Sequence, residues 1–65
     1  MNDMEIPTEK LQELDREIKK IIHAATRLQE LGEGVQAIER NARRILASAK
    51  MLEINVSDIL HLLDI

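Results

Sequence analysis

The sequence predicts an all-α protein: an antiparallel helical hairpin that dimerises into a four-helix bundle. Three observations lead there. Apolar residues recur at alternating steps of three and four from Leu11 to Leu28, and again from Val35 to Leu63. The only two glycines, Gly32 and Gly34, fall between those runs. Finally, 65 residues without a cysteine offer neither the surface nor the disulfides to complete a comfortable core alone. The core must also be wholly aliphatic, because the chain contains no Phe, Trp or Tyr.

Residues 1–6 read as a tail, with Met4 and Ile6 able to lie against the helices, and residues 7–65 read as one domain. Pro7 and Thr8 open the first helix. Proline suits a first helical position, Thr8 can serve as N-cap, and Glu9 complements the positive end of the helix dipole. From there Leu11, Leu14, Ile18, Ile21, Ala25 and Leu28 occupy successive a and d heptad positions. Ile22 and Leu31 widen the stripe, as expected for a helix that meets several neighbours. With no Gly or Pro inside it, this helix is expected over residues 8–31, ending on Gly32 as a left-handed C-terminal cap.

After a turn at 32–34 the second run begins, with Gly34 able to open it. Its a positions are Val35, Ala42, Ala49, Val56 and Leu63, mostly small or β-branched; its d positions, Ile38, Ile45, Leu52 and Ile59, are all large. Small residues at every seventh position let two helix backbones approach closely, with the large ones interlocking beside them. Asn41, Ser48 and Asn55 flank that seam and are short and polar. The stretch 55–58 leaves two readings open. Asn55 and Ser57 are good N-caps, which favours a helix over 35–54, a break, and a short third helix over 57–64. The unbroken heptad phase favours one continuous helix, whose Leu60, Leu62, Leu63 and Ile65 would then overhang the start of the first.

Two hairpin helices leave one side of each wide stripe in water, and a twofold pairing of two chains covers it without any further sequence. The expected self-association residues are Leu14, Ile18, Ile21, Ala25, Leu28, Ile38, Ala42, Ile45, Ala49, Leu52, Val56, Ile59 and Leu63.

For catalysis the sequence offers no candidate residues, and no enzyme activity, metal or cofactor is expected. His23 and His61 sit at outward positions, and neither has a second histidine or a cysteine at ligand spacing. Asp58 and His61 are three apart but point away from the seam. Glu13, Asp15 and Glu17 each have a basic residue three or four positions away and read as solvated ion pairs. Serine, threonine and lysine occur without a paired base.

A basic face is the one charge feature above background. Arg16, Lys19, Lys20, His23 and Arg27 line the outside of the first helix, and Arg40, Arg43, Arg44 and Lys50 that of the second. If the turn brings these stripes together, Lys20, Arg27, Arg40, Arg43, Arg44 and Lys50 could contact phosphates. Residues 49–62 also have the apolar spacing of a degenerate helix-turn-helix. Its turn position is Glu53 instead of glycine, and the would-be reading helix carries aspartates and no Arg or Lys, although base edges call for donors. A net charge of -3 adds no general attraction to nucleic acid or anionic lipid. The acidic start has no apolar run behind it, and no run approaches the roughly 20 residues that span a bilayer. The expectation is therefore a cytoplasmic homo-oligomer, most simply a dimer, that serves as a non-enzymatic protein–protein interaction module. A small nucleic-acid-binding regulator is the competing class.

Overall fold

The computed structural model describes residues 6–63, which form two helices, α1 (Thr8–Leu31) and α2 (Gln36–Leu63), packed against each other as a hairpin. Pro7 caps α1 through its backbone, in extended conformation (φ -60°, ψ 145°): its carbonyl accepts from the N–H groups of Lys10 and Leu11 at 3.0 and 3.1 Å. The cap thus falls one residue before Thr8, whose hydroxyl makes no capping bond. Held extended, Pro7 starts the helix with its carbonyl alone, and no side chain caps the first turn.

The turn divides its work between the glycines differently from the sequence expectation. Gly32 ends α1 at φ -89° and ψ 7°, outside the left-handed region. Its N–H continues the helical ladder to the Leu28 carbonyl at 2.8 Å. The left-handed residue is Gly34, at φ 95°. Gly32 is required for closeness instead, because a β-carbon there would sit 2.3 Å from Ile38 Cγ2 and 2.9 Å from the Leu28 carbonyl oxygen. Val35 then caps α2: its carbonyl accepts from Glu39 N–H at 3.0 Å, and the Glu39 carboxylate reaches back to accept from Gly34 N–H at 3.2 Å. That acidic side chain at the positive end of α2 closes the turn from outside.

α2 is continuous through Asn55, Val56 and Ser57, so neither the break nor a third helix forms. Asn55 and Ser57 are exposed there, and a short polar side chain inside an exposed helix face costs only a fraction of a kcal/mol. Keeping Val56 buried and Ile59 packed against the core requires an intact heptad phase, and that burial is the larger effect.

The centre of the hairpin is narrow and graded. Leu11, Ile18 and Ala25 on α1 and Ala42, Ala49 and Val56 on α2 are buried, at 0–6 % exposure. Antiparallel packing sets Leu11 level with Val56, Ile18 with Ala49, and Ala25 with Ala42, so the paired side chains shrink towards the turn, where Gly32 stands. Ile6, Ile22 and Ile59 pack against the Leu11–Ile18–Val56 cluster. Ile6 thereby covers part of the open end, while Leu60 and Leu62 beyond it remain exposed. The side chain of Leu63 lies outside the described residues, as do Met4 and Ile65. No helix among the described residues is long and apolar enough to cross a membrane.

Candidate self-association surface

In an α-helix, residue i+3 lies about 60° to one side of residue i, and i+4 about 40° to the other. A twofold axis normal to the hairpin plane interchanges two antiparallel helices. The i+3 rows flanking the buried seam therefore lie on one face of the hairpin and the i+4 rows on the opposite face. The two faces differ in kind.

On the i+4 face, each helix carries a half-buried row that mixes polar and aliphatic residues: Asp15, Ile22 and Gln29 on α1, Glu39, Leu46 and Glu53 on α2. Ile22 and Leu46 are at nearly the same level and shield the middle of the seam. Charged groups and Gln29 occupy the rest. Lys19 donates to Asp15 Oδ2 at 2.7 Å, and this hydrogen bond, helped by the field of Asp15 and of Glu53 across the hairpin, holds the Lys19 ammonium above its ordinary pKa. An open groove of about 530 Å³ lies at this end of the face, floored by Leu11, Val56 and Leu60 and walled by Asp15, Lys19 and Glu53.

On the i+3 face the row is aliphatic throughout. Leu14, Ile21 and Leu28 on α1 and Ile38, Ile45 and Leu52 on α2 are each 41–46 % exposed. They form three rungs, Leu14 with Leu52, Ile21 with Ile45, and Leu28 with Ile38. Val35 and the more exposed Leu31 extend the ladder into the turn. A half-covered Leu or Ile at every rung is the mark of side chains that one neighbouring helix covers on a single flank. The residues expected at a self-association surface therefore separate into two groups. Ile18, Ala25, Ala42, Ala49 and Val56 are consumed inside the hairpin, together with Leu11, while Leu14, Ile21, Leu28, Ile38, Ile45 and Leu52 remain available. Ile59 is only partly exposed.

The basic residues are not brought together. Lys20, His23 and Arg27 lie on the outer edge of α1, pointing away from α2. Arg40 and Arg44 lie on the outer edge of α2, pointing away from α1, and Arg43 and Lys50 lie towards the charged face. All are exposed. The stripes share levels but occupy opposite edges of a body measuring 46 × 20 × 15 Å. Lys20 is paired with Glu17 at 2.7 Å, which holds the Glu17 carboxyl below its usual pKa, and Arg27 lies 3.6 Å from Glu30. Among the described residues no carboxylate pairs with Arg40, Arg43 or Arg44. The helix-turn-helix reading of 49–62 is corrected outright: those residues are one uninterrupted stretch of α2, with no turn to re-aim a second helix.

Leu46 escaped the sequence reading, which widened the apolar stripe on the first helix but not on the second; its i+4 relation to Ala42 was the available signal. The role of Glu39 in closing the turn was equally unforeseen. Among the described residues no group of His, Asp and Glu is arranged to hold a metal ion. No family model, curated protein or solved structure matches the chain.

Proposed function

We propose that this protein is a non-enzymatic self-association module whose functional unit is a homodimeric four-helix bundle, formed when two copies meet through their aliphatic faces. The observation that carries the reading is the contrast between the two faces of one hairpin. Three rungs of Leu and Ile stand about half in water on one side, while the other side is lined by charged groups, among them the Lys19–Asp15 ion pair.

Area supports the same reading. A compact monomer of 7.4 kDa exposes about 4,200 Å², whereas this chain exposes 5305 Å². The excess is roughly 1,100 Å² per chain, or about 2,200 Å² for a pair, which is the size class of obligate dimers. The radius of gyration agrees: 14.6 Å, against about 11 Å for a compact chain of this length. A second copy supplies a face of matching chemistry, since rungs of Leu and Ile interlock with their own kind at ordinary interhelical distances.

Sedimentation equilibrium of the full chain over a hundredfold range of micromolar concentration tests this. The expected result is a species of twice the chain mass, with helical signal lost on extreme dilution. A well-folded monomer throughout that range overturns the proposal.

A further inference from the structure

We propose that the second copy packs with α2 antiparallel to its own counterpart, Ser48 on the twofold axis and the two turns at opposite ends of the bundle; this rests on the self-association reading above. The aliphatic face admits two twofold arrangements. With both turns at one end, each α1 lies beside α2 of the other copy. With turns at opposite ends, α1 lies beside α1 and α2 beside α2.

The rims of the face distinguish the two. Outside the ladder, α2 presents Asn41, Ser48 and Asn55, all exposed and uncharged. Charge on α2 begins one row further out, with Arg44 and Asp58, so between Ile38 and Ile59 the ladder and this row contain no ion for two copies to desolvate. The equivalent row of α1 is Lys10, Glu17 and Ala24, with Glu13 and Lys20 just beyond it. Placing α1 beside α2 would set Glu17 against Ser48 and Lys10 against Asn55 at both rims, bringing charge to a neutral surface with nothing opposite. Placing α1 beside α1 keeps the charges of the row itself, Lys10 and Glu17, together on one side of the bundle. Glu17 of one copy then lies level with Lys20 of the other, and the reverse, so the Glu17–Lys20 pairs, 2.7 Å apart within each chain, become a four-membered network. At the ends of that rim Lys10 comes level with Arg27, whose charge Glu30 already balances.

Register points the same way. Ser48 and its level partner Ile18 lie near the middles of α2 and α1, so a twofold axis there overlaps both helices almost fully and sets Leu14 and Leu52 against Ile21 and Ile45 of the other copy. A shift of one heptad would strand a rung at each end.

The chain has no cysteine, so one can be introduced as a reporter. In the full-length S48C variant, mild oxidation should give a disulfide-linked dimer, on the order of tenfold or more faster than in A47C, whose position points to the outer edge. If S48C stays reduced like A47C while the double variant E17C/S48C cross-links between copies, the turns lie at the same end; this arrangement is overturned while self-association stands. If the unmodified chain sediments as a folded monomer, both are overturned. Should S48C fold poorly, an equimolar mixture of N41C and N55C chains asks the same question: mixed disulfides support the arrangement, and their absence from an intact dimer refutes it.

Discussion

Replacing Ile45 with alanine separates the value of a ladder residue in the hairpin from its value in the assembly. In a single chain Ile45 is 44 % exposed, so the hairpin alone draws on only about half of its burial, roughly 1–1.5 kcal/mol of the 1.5–3 kcal/mol that full burial is worth. Inside a four-helix core the same truncation opens a cavity in each copy and costs about 2–5 kcal/mol per site. The difference belongs to association. Summed over two symmetric sites it is roughly 2–7 kcal/mol, which corresponds to about thirtyfold or more in the dissociation constant. Urea unfolding at two protein concentrations, combined with sedimentation, measures both terms. Leu46→Ala is the internal comparison, since Leu46 helps cover the hairpin seam from the charged face and should alter stability without altering assembly. The reasoning is refuted if the midpoint of unfolding does not depend on concentration and Ile45→Ala costs no more than Leu46→Ala.

Ala49→Leu should cost about 1–3 kcal/mol, because the new side chain must enter the fully closed contact opposite Ile18; an unchanged melting temperature would show that the helices do not approach there. At the turn, Gly34→Ala should destabilise by about 1–2 kcal/mol through its positive φ alone, and Gly34→Asn by less, since asparagine enters left-handed space more readily. Equal losses for the two, read by thermal melting, would contradict that assignment. Changing Arg40, Arg43 and Arg44 together to glutamine should leave the sedimenting mass unaltered, because the three lie off the aliphatic face. In the same triple variant, loss of a steeply salt-dependent retention on RNA would assign those side chains to phosphate contact instead.

Much of this arrangement is legible in the sequence, because a heptad repeat encodes both the helix and its buried side. Ala42, Ala49 and Val56 announce a close antiparallel contact, and two glycines between the repeats announce a turn. Less legible is which of two rows of apolar residues the chain's own partner helix buries and which it leaves half exposed. Ile18 and Ile21 read alike as core letters, yet one is buried and the other is half in water, and only the packing of α2 decides which. The glycines illustrate a different limit. Residue type permits a left-handed backbone at both Gly32 and Gly34, and the Ile38 side chain, distant in pattern though near in space, is what reserves Gly32 for close approach. At Asn55–Ser57 a local capping preference competed with the burial of Val56. Local signals of a few tenths of a kcal/mol do not show from sequence alone which larger contact will override them. The basic stripes failed for a geometric reason: sharing a level along a hairpin says nothing about sharing an edge.

The shrinking of the paired side chains towards the turn has a kinetic consequence. Contacts near the turn are those a folding chain can reach first, because their loops are short, but Ala25 and Ala42 return little apolar burial. The strong contacts, Leu11 and Ile6 with Val56 and Ile59, become available only after a loop of roughly 45 residues has closed. Such a hairpin gains little by zipping up from its turn. Its free-energy profile should climb until the distal ends meet, giving one concerted barrier and an all-or-none transition, with amide exchange near the turn no slower than exchange at the helix centres.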